Sequence, residues 1–413
     1  MNIIDQAKLV KKSSFVLMNL STKEKNEALL KIAESIWEDK ESILNENKKD
    51  VNEAEKKNIK KSLIDRLLLT ENRILGMTQA CEKVATLNDP IGEILTSWIQ
   101  EDGLRISKIR VPIGPIGIIY ESRPNVTLEA YIMAMKAGNP VLLRGGSDAF
   151  NSNIAIVKSI KKGLSNSTVP ESSIEYVSDT SRDRVMDMLK MNEYLSLIVP
   201  RGGSSLIQRV VNNSTVPVLE TGVGNCHIYV DSSANFEKAL EIIDNAKTQR
   251  PGTCNSVEKV LVNKNIAKEF LPLLKDKMNE KNVVLKGCEK TLEIVDIQPA
   301  TEEDWGKEYL DFILGIKVVE NVDEAINHIN KYSSNHSESI LTENYFNAKK
   351  FVNSIDSAAL YINASTRFTD GGKFGFGGEI GISTQKIHAR GPVGLKELTT
   401  YKYIVNGDYQ TRS

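Results

Sequence analysis

The segment Gln249-Arg250-Pro251-Gly252-Thr253-Cys254-Asn255 carries the side chain best suited to covalent chemistry. It places a cysteine between an expected helix and an expected strand, in a loop fixed by proline. A thiol acts as a nucleophile when its pKa is depressed and it can be reached, and a loop beside cationic groups offers both. The competing reading is a buried, inert cysteine, the commoner fate of a free thiol. The residues of this loop alone leave both open. Cys81 and Cys288 lie in ordinary helical or loop contexts. Cys226-His227 opens a strand, where adjacent side chains point to opposite faces, so Cys226 reads as core and not as half of a thiol–imidazole pair. The histidines His227, His328, His336 and His388 make no H-E-x-x-H spacing and the cysteines no C-x-x-C, so no metal site is expected.

Two further loops suit anions. Arg144-Gly145-Gly146-Ser147 and Pro200-Arg201-Gly202-Gly203-Ser204-Ser205 each follow an apolar run and precede a helical pattern. Each would turn backbone N–H groups and a helix N-terminus toward an anion, with an arginine alongside. One such loop reads most simply as a tight strand-to-helix turn; two in one sheet point toward a dinucleotide. No G-x-x-x-x-G-K-[ST] is present, and Gly222-Val223-Gly224 lacks the third glycine of G-x-G-x-x-G, so neither a P-loop nor a standard Rossmann turn is supported.

The elements that must position these loops alternate. Residues 1–88 read as charged helices, with Ser21 and Glu24 as a capping box and Leu29, Ile32, Ala33, Ile36 and Trp37 as one apolar face. The mostly charged run Glu46–Lys61 has mixed signs and reads as a solvated helix face. Leu104–Pro112 is extended and predicts an edge strand or a protruding hairpin arm. Apolar runs at 116–120, 141–143, 174–177, 195–199, 216–219 and 228–230 predict strands. Helical patterns lie between them at 125–137, 151–162 (ending at Gly163) and 182–191. A second alternation follows: helices at 236–248 and 266–278, strands at 257–262, 283–285, 316–319 and 360–362. The expected fold class is α/β, two doubly wound parallel-sheet units with a junction near Asp231.

Composition agrees and excludes much. A chain of 413 residues corresponds to about two or three domains. Hydrophobic content of 40% with 26% charged residues is that of a soluble globular protein and excludes disordered and collagen-like chains. The 53 basic and 54 acidic residues leave a formal charge of −1, which argues against a dedicated nucleic-acid binder. Four scattered cysteines suit a reducing compartment. No targeting segment or membrane span is read, so no membrane partner and a cytoplasmic location are expected.

Taken in order, these motifs resemble a known family. They include Ile116-Gly117-Ile118-Ile119-Tyr120-Glu121-Ser122-Arg123-Pro124-Asn125-Val126-Thr127, Leu143–Gly146 and Pro200–Gly203. The run Glu220-Thr221-Gly222-Val223-Gly224-Asn225-Cys226-His227-Ile228-Tyr229-Val230-Asp231, the Cys254 segment and Ser383–Pro392 complete the set. The chain resembles, over nearly its whole length, the gamma-glutamyl phosphate reductases (glutamate-5-semialdehyde dehydrogenases) of the aldehyde dehydrogenase superfamily.

That resemblance implies NADPH-dependent reduction of L-glutamyl 5-phosphate to L-glutamate 5-semialdehyde, with release of phosphate, in L-proline biosynthesis. It implies an aldehyde dehydrogenase-like fold and a homo-oligomer. Residues 1–103, 113–230 and 363–397 would form the NADPH-binding domain, 231–362 the catalytic domain, and 104–112 with 398–413 an oligomerisation arm. Cys254 would be the nucleophile forming a thioester, and Asn125 a donor to the oxyanion. As a residue, Asn125 reads equally as a helix N-cap. Arg144 and Ser147 would serve the NADP 2′-phosphate, Arg201, Gly202, Gly203 and Ser204 the pyrophosphate, and Asp311 the nicotinamide ribose. Glu220 would lie beside the cofactor, either structural or as a proton carrier. Arg123, Arg250 and His336 would contact substrate, with solvent or packing roles as the alternative for each. Another semialdehyde or acyl-phosphate reductase of the superfamily, or a silent binding protein on this fold, are the competing functions.

Overall fold

The computed structural model describes residues 1–59 and 61–412; Lys60, inside the charged run, lies outside the described residues. The chain divides into two units. Unit 1 comprises 1–220, 375–381 and 393–413, and unit 2 comprises 221–374 and 382–392.

Unit 1 begins with five helices, α1 (Ile3–Leu17), α2 (Thr22–Glu38), α3 (Lys40–Lys56), α4 (Lys61–Leu67) and α5 (Glu71–Thr86). The capping box at Ser21 and Glu24 starts α2 as its sequence requires. Its apolar face buries Leu29, Ile32, Ala33 and Ile36, whereas Trp37 is partly exposed with Lys40 over its ring. A hairpin of β1 (Ile94–Ile99) and β2 (Arg105–Pro112) follows. Of the two expectations for this segment the hairpin holds and the edge position does not: β2 pairs with β1 on one side and with Thr399–Asn406 on the other. Pro112 is tolerated because it is the last residue of β2.

The parallel sheet of unit 1 contains β3 (Ile116–Tyr120), β4 (Val141–Arg144), β5 (Ile174–Tyr176) and β6 (Leu197–Arg201), in the order β5-β4-β3-β6. Its helices are α6 (Pro124–Lys136), α7 (Phe150–Leu164), α8 (Arg182–Met188) and α9 (Ser204–Asn213). Alternate strand residues Ile119, Leu142 and Ile198 pack against α1, α8 and α9 in one core. The expected strand at 216–219 is only a single bridge between Val218 and Ile198. Gly138 ends α6 at φ +78°, as the sequence indicates. Gly163 does not end α7 but lies inside it. A Cβ there would lie 2.8 Å from the backbone of Lys31 and Ile32, so this glycine exists to let α2 and α7 cross closely.

Unit 2 holds a seven-stranded parallel sheet in the order β10-β9-β11-β8-β7-β12-β13. Its strands are β7 (Cys226–Val230), β8 (Val257–Asn263), β9 (Val284–Gly287), β10 (Gln298–Pro299), β11 (Ile313–Val319), β12 (Ser337–Leu341) and β13 (Ala359–Ile362). The helices are α10 (Phe236–Thr248), α11 (Lys264–Asn279), α12 (Glu289–Leu292), α13 (Glu302–Gly306), α14 (Val322–Tyr332) and α15 (Tyr345–Ser354). Ile228, Val230, Val260 and Val262 face the core of α10 and α11. Their neighbours Tyr229 and Leu261 face that of α14 and α15. The period-two division of buried apolar residues is what winds helices over both faces. No helix among the described residues is long and apolar enough to cross a membrane.

Gly163→Ala tests the helix crossing. Helix propensity alone predicts a gain of ~1 kcal/mol, but the backbone contact should reverse the sign. Urea unfolding is expected to show a net loss on the order of 1 kcal/mol.

Candidate active site

The cysteine segment emerges from α10 and enters β8, so it lies at the amino-terminal edge of the unit 2 sheet. The turn is closed by its own side chains. Thr253 Oγ1 donates to the Arg250 carbonyl at 2.8 Å and Ser256 N–H to the Thr253 carbonyl at 3.0 Å. Asn255 is buried, with Nδ2 donating to the Thr369 carbonyl at 2.9 Å and its carbonyl accepting from Thr366 Oγ1 at 2.7 Å. Cys254 itself is half-buried, unlike Cys81 and Cys226. Burial pushes the Cys81 thiol up to about 12, which leaves it unreactive.

The Cys254 carbonyl is held from behind. A Cβ on Gly224 would sit 1.5 Å from its oxygen, so only glycine permits the two backbones to approach. Cys226 Sγ donates to the same oxygen at 3.1 Å. Burial raises the Cys226 pKa, which keeps the thiol protonated for this bond. Asn225, between them, donates through Nδ2 to the Trp305 and Tyr332 carbonyls, both at 2.8 Å, and accepts from Lys259 Nζ at 2.9 Å. Cys226 is thus core, as its sequence context suggests, and also contacts the Cys254 segment.

The expected site residues fall out as follows. His336 is fully buried, 3.8 Å from Cys226 Sγ through Nδ1 and 2.8 Å from Ser337 Oγ. Burial lowers its pKa to about 4. It directly precedes β12, whose residues are all buried, so of the two readings offered for it the packing one fits: a neutral residue behind Cys226 and the Cys254 carbonyl. Arg250 is exposed in the cysteine turn. Asp311 is exposed before β11, its Oδ1 accepting from Phe312 N–H at 2.8 Å.

In unit 1, Asn125 does not cap its helix. It is the second residue of α6, Arg123 holds the N-cap position, and Asn125 Nδ2 donates to Glu129 Oε1 at 3.0 Å. Glu220 is half-buried. Arg144 ends β4, and its guanidinium donates to the Gly145 carbonyl at 2.8 Å and to the Thr180 and Ser181 carbonyls. Ser147 is exposed and lines a cavity of about 300 Å³ with Asp148, Asn151, Thr180 and Lys57. Arg201 ends β6; Gly202, Gly203 and Ser204 are exposed, and Gly203 caps α9 with no side-chain bond. The order β5-β4-β3-β6 reverses direction at β3, so these loops meet at the topological switch point where α/β sheets bind ligands. Ser122 Oγ reaches Asp148 Oδ2 at 3.1 Å, joining the loops after β3 and β4. Glu121 was not singled out from the sequence, yet its carboxylate accepts from Gly203 N–H at 3.0 Å. No spacing rule announces this, because the partners lie on separate strands. A helix N-terminus, two exposed glycines and a serine hydroxyl fit a dinucleotide pyrophosphate.

Behind the cysteine lies a buried polar knot. Glu338 accepts from His227 N–H at 2.7 Å and from the Ser333 and Ser357 hydroxyls. Its carboxyl lies 3.3 Å from His227 Nδ1. Burial raises Glu338 to about 8 and lowers His227 to about 3, so both are neutral near pH 7. The native state therefore holds a proton that the unfolded chain, titrating near 4.5, releases. Wild-type stability should fall as pH rises from about 4.5 through about 8 relative to Glu338→Gln, which cannot titrate. Urea unfolding of both proteins across that range checks this; parallel curves would exclude it. Gly224→Ala should displace the Cys254 carbonyl, with alkylation of Cys254 by iodoacetamide changed in rate while the circular dichroism spectrum stays native.

Comparison with known proteins places this geometry. The aldehyde dehydrogenase family model matches residues 3–295. A gamma-glutamyl phosphate reductase of Kosmotoga olearia is 63% identical over 410 residues, 99% of each chain. The crystal structure of the gamma-glutamyl phosphate reductase of Thermotoga maritima superposes with a TM-score of 0.97 at 61% identity, covering 99% of each chain. That of Saccharomyces cerevisiae superposes at 0.56 with 30% identity, covering 99% of this chain and 98% of its own. The chain belongs to the aldehyde dehydrogenase family and, within it, to the gamma-glutamyl phosphate reductases.

Proposed function

We propose that this chain reduces L-glutamyl 5-phosphate to L-glutamate 5-semialdehyde, releasing phosphate, in L-proline biosynthesis. The observation that carries this reading is the likeness, along 99% of both chains, to proteins named for that activity. Cys254 is proposed as the nucleophile because it is the half-buried thiol whose backbone is clamped by Gly224 and Cys226.

The acyl phosphate is an activated carbonyl. The Cys254 thiolate adds to its carbon, the C–S bond forms, and the bond to the phosphate oxygen breaks with its electron pair leaving on phosphate. When bound against Arg144, Ser147 and residues 201–204, the nicotinamide cofactor of the family, read here as NADPH, would supply the hydride that reduces the thioester carbon. The thiohemiacetal oxyanion then re-forms C=O, the C–S bond breaks, and the thiolate returns. Developing oxyanions call for fixed donors, and the Cys254 N–H in its rigid turn is proposed as one. Asn125 is retained by resemblance as a further amide donor, as are Asp311 for the ribose and Glu220 beside the cofactor. Arg144 and Ser147 are read toward the 2′-phosphate and Arg201 to Ser204 toward the pyrophosphate. Arg123 and Arg250 are read as substrate contacts.

The antiparallel sheet of β1, β2 and residues 399–406 is proposed as the oligomerisation arm. It exposes Ile94, Ile99, Tyr403 and Val405, an apolar set suited to a second copy.

The test uses the reverse reaction, phosphate-dependent reduction of NADP by glutamate semialdehyde. Cys254→Ala should lower kcat by at least about 1,000-fold, as removal of a covalent nucleophile does, with the melting temperature retained. Full activity in that variant would refute the thioester route.

A further inference from the structure

Arg367 was not singled out from the sequence, because its neighbours Thr366 and Phe368 carry no turn signal. In the structure its guanidinium braces the cysteine turn at both ends. Nε donates to Gln249 Oε1 at 2.8 Å, at the exit of α10, and Nη1 donates to Asn255 Oδ1, the residue after Cys254. Asn255 is itself fixed through Nδ2 to the Thr369 carbonyl. The guanidinium therefore has a set place and plane beside the nucleophile, without a flexible search.

The electrostatics around it are unusual. Arg367 is half-buried, and burial followed by the neighbouring Arg250 charge holds its pKa below the ordinary value, while Cys254 and Asp370 act in the opposite direction. Among the described residues neither arginine forms an ion pair with a carboxylate, whereas Arg390 is neutralised by Asp356 at 2.6 Å. Through Gln249 and Asn255 the Arg367 guanidinium is tied to the turn that carries Arg250, and an anion bound there would meet two positive charges. A dianionic phosphate matches two forks better than a single carboxylate does.

We propose that Arg367 and Arg250 together form the phosphate subsite of unit 2, holding the phosphoryl group of the acyl phosphate as the Cys254 thiolate displaces it. The inference rests on the acyl-phosphate reductase reading and assigns one anionic end of that substrate to two named side chains. The arginines do no covalent chemistry. They take up the charge that moves onto phosphate when the C–O bond breaks, and in the reverse direction they gather inorganic phosphate for attack on the thioester.

The experiment measures the reverse reaction with L-glutamate 5-semialdehyde, inorganic phosphate and NADP, varying each in turn. Arg367→Lys and Arg250→Gln should each raise the KM for phosphate about ten-fold or more, the loss expected for a charge-assisted contact. The KM for semialdehyde and for NADP should stay within about two-fold. Arg250 is exposed, so its variant folds even if the bracing role of Arg367 makes the other fragile. If turnover is too slow, inorganic phosphate should protect Cys254 of the wild type from iodoacetamide and fail to protect either variant. A rise in semialdehyde KM with phosphate KM unchanged would overturn the proposal, because the arginines would then read the α-carboxylate. A fall in kcat with every KM unchanged would overturn it as well. A wild-type chain with no phosphate-dependent turnover would instead sink the function itself, and the subsite with it.

Discussion

The approach of the Gly224 backbone to the Cys254 carbonyl is the constraint on which the active segment depends. No side chain fits between them, and the contact locks the turn before β8 against the start of β7. Further requirements follow. Asn225 must be held so that Gly224 stays close, and it is tied to two carbonyls and to Lys259. Lys259 must then be housed inside the sheet, which is why Gly315 on β11 lacks a side chain: a Cβ there would lie 2.7 Å from Lys259 Cδ. A single close contact thus propagates through three strands.

The environment on the two sides of Cys254 differs in kind. Behind it, His336, His227 and Glu338 are buried and uncharged near neutral pH, and His336 and Glu338 are held by serine hydroxyls. Such groups maintain shape without adding a field that would oppose a thiolate. In the proposed phosphate subsite the charge lies instead on Arg250 and Arg367, at the cysteine turn and its brace. On the proposed reading, this division would leave Cys254 answering to its anionic substrate and not to titration of its own support.

The fold was legible where apolar periodicity is uninterrupted. The 236–248 pattern is α10 residue for residue, and Ile116–Tyr120 is β3. It was illegible where buried positions are polar. Ser337–Leu341 carries Ser, Glu and Ser, all fully buried, and no hydrophobic pattern marks it as the strand β12. Val216–Leu219 errs in the other direction, apolar enough for a strand but making one bridge. Gly163 reads as a helix stop because its reason lies in a crossing helix far away in sequence. At the site, the cysteine turn and the glycine loops stand out because glycine and proline punctuate them. Glu121 and Arg367 do not, because their partners come from other elements. His336 stayed open between substrate contact and packing for a related reason: only the neighbouring strands reveal that it is enclosed.

The arm sheet has a consequence for how the protein is made. Its middle strand β2 pairs with 399–406, so residues 113–398, about two thirds of the chain, separate two adjacent strands. While a ribosome is still producing unit 2, β2 offers an unfilled row of backbone donors and acceptors, with Ile94 and Ile99 of its hairpin partner uncovered. The nascent chain thus carries an adhesive edge for most of its synthesis and closes it near the end. Unit 1, which also draws on 375–381 and 393–413, cannot be completed earlier.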